Sequence, residues 1–88
     1  MKIVPLSSVM SSRTGTLRGL TKEQIDKVLG FEPNVQDDPV KVVNSWGFRV
    51  ARKQFAIWDY KGSHQYNEWS TFGDAAVLTA LFGEAYSR

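Results

Sequence analysis

The sequence predicts an α+β domain: a three-stranded antiparallel β-meander over about residues 43–51, 54–60 and 65–72, with two short helices, about 22–29 and 75–82, on one face. Three observations carry this reading. A fully signposted helix start and stop lies in LTKEQIDKVLGF, strict alternation follows in NSWGFRVA and its successors, and GDAAVLTALFG returns to helical spacing.

The first helix has the most explicit grammar. Thr21 and Gln24 stand at the spacing of a capping box, with Leu20 and Ile25 on either side as a hydrophobic staple. Ile25, Val28 and Leu29 fall at i, i+3 and i+4, and Gly30 supplies a left-handed stop. A helix this short is marginal alone and must dock its apolar stripe on another element. In the connector that follows, Asp38 before Pro39 opens a short helical turn or leads Val40 into the first strand.

The pattern then changes to period two. Trp46, Phe48 and Val50 share one face of the first strand, while Ser45, Gly47 and Arg49 share the other. A turn at Arg52 and Lys53 leads into QFAIWDY, where Phe55 and Ile57 oppose Trp58 and Tyr60. KGSH, with Gly62, reads as a second turn, and QYNEWSTF as the third strand. Asp74 then caps a helix whose stripe is Leu78, Leu81 and Phe82, stopped by Gly83. The inward or outward sense of each Trp depends on register, and a slip of one residue reverses it.

Composition bounds the organisation. The 88 residues fit one domain, read as a polar basic segment or loop over 1–20 and a compact body over 21–88. Hydrophobic content of 42%, with three Trp, five Phe and three Tyr, is enough for a packed core. The chain contains no Cys, so disulfides and thiolate metal sites are excluded. MKIVPLSSVM lacks the apolar run of a signal peptide, and no stretch approaches the roughly 20 apolar residues of a membrane span. A cytoplasmic protein without membrane attachment is the expectation.

Charge is asymmetric. Lys2, Arg13, Arg18 and Lys22 give residues 1–22 a charge of +4 with no carboxylate, which leaves the remaining 66 residues at −2. SSVMSSRTGTLRGLT, residues 7–21, holds four Ser, three Thr, two Gly and two Arg. Hydroxyls, unhindered amides and guanidinium forks suit phosphate or carboxylate, and the stretch leads into a helix N-terminus. Arg13, Thr14, Thr16, Arg18 and Thr21 are therefore the candidate anion-binding residues; the alternative is a flexible arm. RTGTLRG lacks the order of a Walker loop, which excludes a P-loop nucleotide hydrolase.

The rest of the chain offers little chemistry. His64, the sole histidine, falls in a turn and reads as solvated. No His/Asp/Glu set has metal-ligand spacing, and Asp59 with Glu68, facing each other across the second hairpin, reads as surface rather than as a catalytic pair. No catalytic residue, metal or cofactor is predicted, and the chain is read as non-enzymatic. A net charge of +2 without an RNP-type signature argues against generic nucleic-acid binding. Arg49, Arg52, Lys53 and Lys61, around Trp58 and Tyr60, form a candidate partner interface of aromatic centre and basic rim.

SWGF, IWDYKGS, WSTFG and the terminal LFG together resemble small uncharacterised proteins encoded by tailed bacteriophages and prophages, over about residues 14–83. The resemblance implies a setting in the host cytoplasm and action by occupancy, as a counter-defence inhibitor docked on a host protein. The alternative it leaves open is sequestration of a phosphate-bearing nucleotide signal by the Ser/Thr/Arg loop, residues 11–21, with Trp58 or Tyr60 on the base. Enclosing such a ligand would call for a homo-oligomer. A structural or scaffold role in the virion is the second alternative.

Overall fold

The computed structural model of the protein describes residues 1–9, 12–36 and 42–88, so the turn or strand entry expected at Asp38–Val40 lies outside the described residues. The expected three-stranded meander is corrected to a six-stranded antiparallel sheet in an α+β fold. Its strands are β1 (Ile3–Pro5), β2 (Gly15–Arg18), β3 (Val42–Val50), β4 (Lys53–Tyr60), β5 (Glu68–Phe72) and β6 (Tyr86–Ser87), and its helices are α1 (Lys22–Leu29) and α2 (Ala75–Phe82). The spatial order is β1-β3-β4-β5-β2-β6. The consecutive hairpins β3–β4–β5 occupy the middle, and chain ends supply the flanks. β1 and β2 come from the segment read as a polar arm, and β6 from the C-terminus. Residues 65–67, expected to start the third strand, instead complete a 3-10 turn (Ser63–Tyr66) and its left-handed exit at Asn67, φ 55°.

The helices form because their ends are closed locally. Thr21 Oγ1 accepts from the Gln24 amide (3.2 Å), and Gln24 Oε1 accepts from the Thr21 amide (2.8 Å). At the other end Gly30, at φ 90°, donates to the Asp26 carbonyl. Asp74 Oδ1 caps α2 by accepting from the Val77 amide.

Register assigns the faces. Trp46 lies opposite Ile57, Phe48 opposite Phe55, Ile57 opposite Thr71, and Leu17 opposite both Trp69 and Tyr86. These side chains form one buried layer on which Ile25 and Leu29 of α1 and Leu78 of α2 pack. Trp46 and Trp69 meet edge to face at 5.2 Å, a favoured geometry for aromatic pairs. Their indole N–H groups donate to Asp26 Oδ1 (3.0 Å) and to the Leu20 carbonyl (2.8 Å), so neither ring is buried with an orphan donor.

Among the described residues the opposite face is covered at the β3 end. There Gly47 is required by close approach: a Cβ at this position would meet the Leu6 carbonyl at 2.7 Å and Val35 at 2.8 Å. Asn34 holds the crossing segments together. Its Nδ2 donates to the Leu6 and Gly47 carbonyls (2.8 and 3.1 Å), while its Oδ1 accepts from the Gly47 amide (3.0 Å). On β4, β5 and β2 the same face carries Trp58, Tyr60, Glu68, Ser70, Thr16 and Arg18.

Candidate functional site

These six residues, with Arg13, Ser63 and Trp69, line a depression of about 510 Å³. The volume lies inside the roughly 300–1,000 Å³ of small-molecule sites. Its floor is a lattice fixed by strand register. One row runs Trp58–Ser70–Thr16 across β4, β5 and β2. The next pairs Glu68 with Arg18, and Tyr60 stands two residues beyond Trp58 on the same face. Neighbouring strands lie about 4.8 Å apart, so the aromatic strand is separated from the cationic strand by about 10 Å.

Within this lattice Arg13 Nη2 donates to Thr16 Oγ1 at 3.1 Å, which draws the guanidinium over the β2 end. Arg18 Nε lies 3.7 Å from Glu68 Oε1, with the two side chains 65% and 51% exposed. An ion pair this long and this wet contributes little to stability, and both groups keep free bonding capacity. Trp58 is half-buried and Tyr60 is 39% exposed, so both rings present area to the depression.

The predicted site residues divide accordingly. Arg13, Thr16 and Arg18 of the anion loop line the depression, and Trp58 and Tyr60 of the partner set line it with them. Thr14 and Thr21 do not. Thr14 Oγ1 accepts from the Gly73 amide and its own amide donates to the Thr71 carbonyl, while Thr21 is spent on the cap of α1. Arg49, Arg52 and Lys53 stand at the far end of β4, around the turn that the structure places at Ala51–Arg52. Seven residues separate Lys53 from Tyr60, or about 24 Å of extended strand. Arg49 Nη1 donates to the Ala51 carbonyl (2.6 Å), and Lys53 Nζ pairs with Asp74 Oδ2 (2.6 Å). That ammonium and the Val77 amide hold the Asp74 carboxyl below the usual carboxylate range. Lys61 Nζ sits 5.3 Å from the centre of the Tyr60 ring, within cation–π range.

The sequence reading missed Ser63, Glu68 and Ser70 as lining groups. Alternation from Trp58 and Arg18 was the available signal, but it needs the β2–β5 pairing to be known.

Two expectations about titratable groups are also corrected. Asp59 does not face Glu68 on an exposed surface: it shares the core face with Phe55 and Ile57 and is fully buried. His64 is not simply solvated. Its Nδ1 lies in close contact with Asp59 Oδ2, at 2.5 Å, and neither atom makes a hydrogen bond elsewhere among the described residues. The cause is a β-bulge. Between the pairs Val42↔Tyr60 and Ser45↔Trp58, two residues of β3 oppose the single residue Asp59. Asp59 Oδ1 accepts from both bulge amides, Val43 (3.0 Å) and Asn44 (2.7 Å). His64 closes the other oxygen from the 3-10 turn, whose Ser63 reaches the depression.

Among the described residues no three His, Cys, Asp or Glu side chains gather to hold a metal ion, and no helix is long and apolar enough to cross a membrane. Comparison of the chain with protein-family models, curated proteins and solved structures gives no match.

Proposed function

We propose that the depression on the open sheet face binds a small phosphate-bearing nucleotide, and that the protein acts by sequestering it. One observation carries the reading. Two separate stretches of chain, the Ser/Thr/Arg segment and β4, contribute Arg13, Thr16 and Arg18 on one side and Trp58 and Tyr60 on the other to a single concavity. Guanidinium forks and hydroxyls suit phosphate oxygens, and an indole or phenol face suits a planar ring. The separation of Arg49, Arg52 and Lys53, gathered at the turn end of β4, from Trp58 and Tyr60 favours a compact ligand over a protein docked on one aromatic and basic patch. In the phage setting that the motif resemblance implies, such a ligand is a nucleotide signal withheld from its host receptor.

The test is isothermal titration of ADP and GDP into the full-length chain at low and high salt. Binding that weakens with salt is expected, with a loss of about tenfold or more on Arg18→Ala, the size of a lost charge-assisted hydrogen bond. Trp58 is the half-buried member of the three tryptophans, so ligand-induced quenching should vanish in Trp58→Phe. Absence of binding by either nucleotide refutes the proposal.

A further inference from the structure

We propose that Glu68, with Ser70 beside it, reads the sugar of this ligand, so that the site takes ribonucleotides in preference to 2′-deoxyribonucleotides; the inference rests on the nucleotide reading of the depression. Strand order supplies the first argument. Across the open face the aromatic strand β4 comes first, β5 lies in the middle, and the cationic strand β2 comes last. A nucleotide has the same linear order of ring, sugar and phosphate. With its ring on Trp58 or Tyr60 and its phosphate at Arg13 and Arg18, the sugar lies over β5. The two β5 side chains that line the depression from this face are Glu68 and Ser70.

The second argument is chemical. A carboxylate paired with one of the arginines is a handicap to a site that binds phosphate alone, because it cancels one positive charge and repels the ligand. Among the described residues Glu68 is the only acid lining the depression. Its contact with Arg18 is long, 3.7 Å, and its side chain is half exposed, so its oxygens are open to new donors. A ribose offers two adjacent O–H donors, and one ionised carboxylate accepts both. An acid on the ribose hydroxyls is a general solution to telling a ribose from its deoxy analogue. The 2′-deoxy sugar keeps its 3′-OH but removes the other donor, so the carboxylate loses one of its two bonds, and sites built on a hydroxyl contact discriminate strongly for this reason.

The experiment is titration of ADP, 2′-deoxy-ADP, GDP, 2′-deoxy-GDP and inorganic pyrophosphate into the wild-type chain and Glu68→Gln, with circular dichroism confirming that the variant is folded. Wild type is expected to prefer the ribose form by about tenfold to a hundredfold, the range of one hydrogen bond to a charged group. Glu68→Gln is expected to lose that preference and to bind pyrophosphate more tightly, because the repulsion is gone. A purely structural Glu68 would move neither. Equal binding of ribose and deoxyribose forms by wild type, or a preference that survives Glu68→Gln, overturns the inference and leaves the nucleotide site standing. If no nucleotide binds at all, the site reading and the inference fall together.

Discussion

Replacing Asp59 with Ala should be among the most damaging single changes in this protein. The side chain is fully buried, accepts from the Val43 and Asn44 amides at 3.0 and 2.7 Å, and holds its other oxygen in close contact with His64 Nδ1, at 2.5 Å. Truncation strands both amides and leaves the buried imidazole nitrogen without its one polar neighbour. A buried donor without a partner costs about 1–3 kcal/mol. Val43 is exposed and Asn44 half-buried, so water can reach the two amides and each is placed near the lower end. Together with the imidazole the loss comes to about 3–5 kcal/mol, against a total of about 4–13 kcal/mol for a domain of this length. Melting temperature should fall by at least about 12 °C, at roughly 4 °C per kcal/mol. Urea denaturation followed by tryptophan fluorescence measures the change, because Trp46 and Trp69 lie in the core. Asp59→Asn separates the causes. Its amide oxygen still accepts from the bulge and its NH₂ can donate to a neutral imidazole, so its cost should be less than half that of Ala. If Asp59→Ala lies within about 1 kcal/mol of wild type, or if Asn costs as much as Ala, the bulge-clamp account is wrong.

Two further outcomes concern the opposite end of β4. Ala51 sits at φ 55° in the β3–β4 turn, a conformation that costs an L-residue about 1 kcal/mol, so Ala51→Gly should raise stability by about that amount in chemical denaturation. The Asp74 carboxyl is held low by Lys53 and by the cap of α2, so it contributes stability above the ordinary Asp titration, at about pH 4, that is lost as pH falls through its lower folded value. Acid titration of the melting temperature should therefore steepen below about pH 4 and flatten there in Asp74→Asn; identical slopes in the two proteins would refute the assignment.

Legibility in the sequence followed the range of the interactions. The helix Lys22–Leu29 was readable to the residue because its cap, staple and stop all act within a few positions. β2 was not readable, because GTLR is four residues of Gly, Thr, Leu and Arg whose strand character comes entirely from pairing with β5 and β6. β6, two residues long, carries no periodic signal at all. Asp59 was misplaced for the opposite reason. Its position two residues after Ile57 already put it on the core face, but an acid there is implausible until a bulge supplies donors for it. The site was legible in its parts and illegible as a whole. Arg13, Thr16 and Arg18 stood out by composition, and Trp58 and Tyr60 by type. That they share one floor is a consequence of non-local register.

The same register explains why the open face, the proposed ligand site, is where it is. Two short helices cover one side of the sheet, and the clamp of Asn34 on Gly47 brings Leu6 and Val35 over the β3 end of the other. Beyond that clamp the strand carries a choice: small polar side chains that tolerate water, or aromatic ones that need a partner. β5 and β2 take the first course with Ser70 and Thr16, whereas β4 takes the second with Trp58 and Tyr60. A half-buried indole on the open face, across β5 from two arginines, contributes less to the core than it would inside. It is placed to trade water for a planar, anionic molecule, and the 3-10 turn tied to Asp59 through His64 brings Ser63 to the rim of the same depression. The bulge clamp and the depression are thus linked through one short turn. Loosening the clamp by His64→Ala should weaken nucleotide binding although His64 itself is not among the lining residues.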